Sequence, residues 1–116
     1  MWFHTCIYIR ATLPLQDNMN IPITDTHIHL SPMGKGVEAA KEFERAGGTH
    51  MVVVSLPSWS NGVNAIKPED FDVGYSNTID MVERVNKETS VTAWAIVGVH
   101  PAEMAKLAEK MPLEQA

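Results

Sequence analysis

Two rhythms of apolar and polar residues take turns along this chain. "IPITDTHIHL", residues 21–30, alternates with period two and predicts a short strand. In "VEAAKEFERAGG", Val37, Ala40, Phe43 and Gly47 fall near one helical face, and the double glycine supplies a stop. "THMVVVSLP" is a continuous apolar, largely β-branched run, the pattern of a strand buried on both faces. "SWSNGVNAIKPEDF" is polar, carries Gly, Asn and Pro, and reads as a loop. "VGYSNTIDMVERVNKE" sets Tyr75, Ile79 and Val82 on one helical stripe, and "VTAWAIVGVH" is a third buried strand. "PAEMAKLAEKM" has Pro101 in its first turn, with Met104, Leu107, Ala108 and Met111 at helical spacing. "PLEQA" reads as the start of one more helix.

Strand then helix, three times over, predicts an α/β fold with a parallel sheet and outer helices. Parallel strands point the same way, so their C-terminal ends share one rim, where sites form in such folds.

Composition narrows the class. The 116 residues suffice for one domain with a core, and 45% hydrophobic with 20% charged residues is ordinary for a globular chain. The formal net charge of −5 offers no general attraction to nucleic acid or anionic membranes, so a nucleic-acid substrate needs a local site or metal ions. Cys6 is the single cysteine, which excludes an internal disulfide and fits a cytoplasmic setting. No apolar run is long enough for a membrane span. Residues 1–18, "MWFHTCIYIRATLPLQDN", differ from the rest: they are apolar and aromatic and lack the basic start of a signal peptide. Met19 opens "MNIPITDTHIHL", so the expected domain is 19–116, preceded by an extension that is non-homologous or a mis-assigned start.

Asp25, His27 and His29 sit at every second position, so strand alternation predicts that they project together, with the histidines at the C-terminal end. Two such imidazoles can reach one cation, with the carboxylate as a further ligand or an orienter. The competing reading is a pair of surface or hydrogen-bonded histidines. His100 ends strand three and precedes Pro101. There it either meets substrate, as a binder, acid or base, or merely caps the helix. His50 starts strand two, away from the rim, and reads as structural. Ser55, Ser58, Trp59, Ser60 and Asn61 follow strand two on the rim side, where they could touch substrate, although polar loop residues are usually just solvated. "GKG" at 34–36 lacks the form of a phosphate loop, and Glu103 reads as a first-turn partner of the helix dipole. No Ser-His-Asp arrangement is visible.

Taken together, "TDTHIHL", "AAKEFERAGGTHMVVVS" and "AWAIVGVHPAE" resemble the TatD-related metal-dependent hydrolases of the amidohydrolase superfamily, most of all their archaeal branch. The resemblance lies in Asp25, His27 and His29, in Ala46 and Gly47, and in Gly98, His100 and Pro101. It implies a TIM-type (β/α)8 barrel with a divalent ion (Zn, Mg or Mn) at the C-terminal rim. It makes His27 and His29 metal ligands, and Asp25 and His100 substrate or supporting residues. The implied reaction is attack of a metal-activated water on a phosphodiester, DNA included. The family's bridging glutamate, two more histidines and a final aspartate lie on later strands, past the end of this chain. Such barrels take about 250 residues, so the expectation is the first three βα units of a truncated barrel, inactive alone unless another polypeptide completes it. The alternatives are a non-catalytic α/β module that binds a metal or a partner, and an amidohydrolase acting on a C–N or ester bond.

Overall fold

The computed structural model describes residues 21–111 and 114. The expectations for residues 1–18 lie outside these, as does nearly all of the further helix from Pro112. Three strands, β1 (Thr24–Ile28), β2 (His50–Val54) and β3 (Thr92–Ile96), form a parallel sheet in the order β1-β2-β3. They alternate with α1 (Val37–Arg45), α2 (Asp72–Glu88) and α3 (Met104–Lys110). The predicted α/β order is therefore present, strand by strand and helix by helix.

Local chemistry explains the boundaries. Gly47 adopts φ +100°, a left-handed value that side chains resist, and this ends α1. Gly48 is needed for a different reason. A Cβ there would run into the Phe43 ring, so the second glycine lets β2 start tight against the helix. Thr49 then ties β2 to the entry of β1: its hydroxyl donates to the Ile23 carbonyl (3.0 Å) and accepts from the Ile23 amide (2.8 Å). Before α2, Pro68 opens a short 3-10 turn, and the Asp70 carboxylate accepts from the Ile66 and Lys67 amides.

The main core lies on one side of the sheet. Met51, Val53 and Ala93 from the strands pack with Val37, Ala40 and Phe43 of α1 and with Met81, Val82 and Val85 of α2. A smaller core joins Ala65 and Phe71 to Leu107 and Met111, with Tyr75 against it.

Four expectations need correction. β2 and β3 are not buried on both faces. Met51 and Val53 are buried but their neighbours only half so, and Ala93 alone is buried in β3. The reason is coverage: both helices of the main core lie on one side, and Trp94 and Ile96 stay 51% and 53% exposed on the other. On α2 the buried stripe is Gly74, Thr78, Met81, Val82 and Val85, and Ile79 is exposed. Thr78 can join it because its hydroxyl donates to the Gly74 carbonyl (2.9 Å). Leu107 of α3 and Met111 just after it are buried, whereas Met104 and Ala108 face solvent. The loop after β2 contains two short 3-10 turns, Ser58–Asn61 and Pro68–Phe71.

Candidate metal centre

The C-terminal ends of all three strands open into one cavity of about 550 Å³. His27 and His29 line it from β1 and just beyond. Val54, Ser55, Leu56 and Pro57 come from the end of β2, and Ile96, Gly98, Val99, His100 and Pro101 from the end of β3. The fold thus brings His100 to the His27–His29 pair, from which the sequence places it far away. The His27 and His29 rings stand edge to face with centroids 5.1 Å apart, and His29 and His100 lie 6.1 Å apart.

Hydrogen bonds set the tautomers. His29 Nδ1 lies 2.9 Å from the Val54 carbonyl, which can only accept. Nδ1 therefore carries the proton, and Nε2 keeps its lone pair, the arrangement of a metal-binding imidazole. His100 is the reverse. It caps the 3-10 turn Pro101–Glu103, and its Nδ1 accepts from the Ala102 amide (3.1 Å). Its Nε2 is then the N–H, a donor rather than a ligand. The capping reading of His100 is therefore the one seen here: its Nδ1 caps the turn.

Asp25 departs from simple alternation. It pairs with Met51, but Ile28 pairs with Val53, so the register slips between them. A one-residue slip reverses which side chains face which way. Asp25 is 6% exposed and outside the cavity lining, while His27 and His29 reach the cavity. Its carboxylate accepts from the His27 amide (3.0 Å), pinning the backbone where the slip occurs.

Two rim residues had no signal in the sequence. Glu103, read as a dipole partner, is buried (3% exposed) and accepts from both the amide and the hydroxyl of Ser58. That clasp ties the loop after β2 to the turn that carries His100. Its partners lie 45 residues apart in sequence. Ser55 is also buried; its hydroxyl donates to the Gly98 carbonyl (2.8 Å) and accepts from the Gly98 amide (3.2 Å), joining the ends of β2 and β3. Neither serine is a solvated loop residue. His50 stands outside the cavity as expected, stacked on Trp94 at 5.8 Å. Beside the clasp, burial and then the carboxylates of Glu103 and Asp72 hold the Tyr75 hydroxyl above its usual pKa.

The donor set fits part of a metal site. Two imidazoles sharing one ion at about 2.1 Å and a tetrahedral angle have centroids roughly 5 Å apart, as His27 and His29 do. Among the described residues, no group of three or more His, Cys, Asp or Glu gathers as a metal cage. No helix of the described residues is long and apolar enough to cross a membrane.

A family described as TatD related DNase matches residues 24–116. The chain belongs to the TatD-related DNase family. The chain is similar to the uncharacterized protein MJ1127 of Methanocaldococcus jannaschii. The two are 39% identical over 99 residues, which cover 84% of this chain and 32% of that protein. This TatD-related chain thus spans about a third of the length of the curated relative it matches. No solved structure matches it.

Proposed function

We propose that this chain is the first part of a TatD-type metal-dependent hydrolase that cleaves phosphodiesters, DNA among them. The observation that carries this reading is the pairing of opposite histidine tautomers on one rim. His29 and His100 both line the cavity, and Nε2 keeps a lone pair on His29 but carries the proton on His100. His27 and His29 hold a divalent ion; the ion would act as a Lewis acid and lower the pKa of its bound water. The His100 Nε2–H donates to an anionic oxygen of the substrate, which suits a phosphate. Asp25 holds the His27 backbone, and Glu103 holds the turn that aims His100. Val54, Leu56, Ile96 and Val99 give the cavity an apolar wall.

Two imidazoles fall short of the three or four protein ligands of a tight site. The reading therefore has these three βα units as the opening of a TIM-type barrel in the cytoplasm, whose other strands bring the remaining ligands. The chain alone holds an ion weakly and hydrolyses DNA poorly.

Titration of the purified chain with Zn²⁺ or Mn²⁺ tests this. Binding of about one ion, lost in His27→Ala/His29→Ala while circular dichroism is unchanged, is the expected result. Equal binding by the double variant removes the metal assignment. Efficient DNA cleavage by the chain alone, lost on His27→Ala, removes the claim that further ligands are needed.

A further inference from the structure

The 3-10 turn Ser58–Asn61 is held from two sides. Its Ser58 amide donates to the buried Glu103 carboxylate (3.1 Å), and its Asn61 Oδ1 accepts from the Asn77 side-chain amide of α2 (2.9 Å). Trp59 stands between these anchors. It belongs to neither core and is 45% exposed. An indole held out to solvent on a fixed turn forgoes the burial that aromatic residues ordinarily bring to a fold. The Lys106 ammonium lies over its ring, 4.3 Å from the centroid. The clasp sets this pair, because Trp59 follows Ser58 and Lys106 lies one turn beyond Glu103. Lys110, a further turn along α3, reaches the same segment after β2 at Asn64 (3.3 Å). Lys35, Lys41, Arg45 and Arg84 are all paired with carboxylates. Lys106 and Lys110 pair with none among the described residues, and both are exposed. Pro57 and Pro101, which lead into the two turns that the clasp joins, line the cavity, so Trp59 and Lys106 adjoin its wall.

We propose that Trp59 and Lys106 form a nucleotide platform beside the cavity. A base of single-stranded DNA stacks on the exposed indole, and the Lys106 ammonium, with Lys110 behind it, takes the adjoining phosphates. The inference rests on the hydrolase reading, to which it adds where the strand flanking the cleaved bond is held. An aromatic face beside unpaired cations is the chemistry of sequence-tolerant single-strand binding, because every base has a face to stack. Unpaired DNA is the form that fits, since a base within a duplex has its faces covered by its neighbours. The platform also meets the difficulty set by charge. A chain of net charge −5 has no general attraction to DNA, so its hold on a strand must be local.

Fluorescence anisotropy of the full chain with a short labelled oligothymidylate, in EDTA so that nothing is cleaved, tests this. A strand of the same length with abasic sites carries the same charge and lacks only the bases. The native chain should bind the thymidine strand about fivefold or more tightly than the abasic one. Trp59→Ala should remove that difference, and Trp59→Phe should restore part of it. Lys106→Gln should weaken both strands alike and lower the slope of log affinity against log salt by about 0.7. Trp94, also an exposed indole, is the control, and Trp94→Ala should bind as the native chain does. Should Trp59→Ala not fold, Trp59 fluorescence in Trp2→Phe/Trp94→Phe carries the same test: the thymidine strand should quench it and the abasic strand should not. Metal plays no part in these measurements, so the platform can fail while the metal site stands, and the reverse. No binding of either strand, or equal binding of both by the native chain, overturns the proposal. A preference that survives Trp59→Ala, or is lost only in Trp94→Ala, overturns it too.

Discussion

The two faces of the sheet carry different work. On the helix-covered face, Met51, Val53 and Ala93 are sealed under α1 and α2, and stability resides there. On the other face Trp94 and Ile96 are bare, and the rim above them holds His27, His29 and His100. A valine can lie on either face: Val53 is buried under the helices, whereas Val52 and Val54 are half-buried on the other side. What separates the faces is whether a helix lies against them. Hydrophobicity alone therefore does not mark the core of this chain.

Substitutions can break this comparison. Met51→Ala removes a fully buried side chain and should cost about 2–5 kcal/mol in urea unfolding, whereas Ile96→Lys should stay within about 0.5 kcal/mol. Equal losses would mean that the open face also holds the fold together. Glu103→Ala strands the Ser58 amide and hydroxyl, both buried, and should cost about 1–3 kcal/mol. It should also loosen the turn that bears His100, seen as changed ring shifts in NMR. Unmoved shifts would mean that the clasp stabilises without aiming the histidine. The smallest effect belongs to Tyr75. Its folded pKa lies above the ordinary 10.0, chiefly through burial, so folding favours the neutral phenol. That contribution is complete below pH 10, the unfolded value, and is lost as pH rises through the higher folded value. Tyr75→Phe should make stability fall less steeply above pH 10; an unchanged slope would place the alkaline loss elsewhere.

Much of the fold is legible in residue order. "AGG" before "THMVVVS" encodes a helix end and a strand start, and the glycines act there through a left-handed φ and a close Phe43 ring. Asp-x-His-x-His with Gly-x-His-Pro marks the three cavity histidines, because strand ends of a parallel sheet converge wherever the chain lies between them. Helical stripes were less legible. Ile79 fits the apolar period of α2, yet Thr78 is buried in its place, because a backbone carbonyl one turn earlier satisfies its hydroxyl.

By itself the sequence determined the succession of strands and helices, the parallel sheet and the identity of the rim histidines. These follow from spacing, turn chemistry and strand direction, all of which are local. Tertiary structure decided the rest: the slip that separates Asp25 from the cavity, the tautomers of His29 and His100, the Ser58–Glu103 clasp and the bare face of β3. Each of these depends on a partner distant in sequence or, for His100, on the fold of a single turn. A hydrogen bond or a covering helix acts only once folding has put it in place.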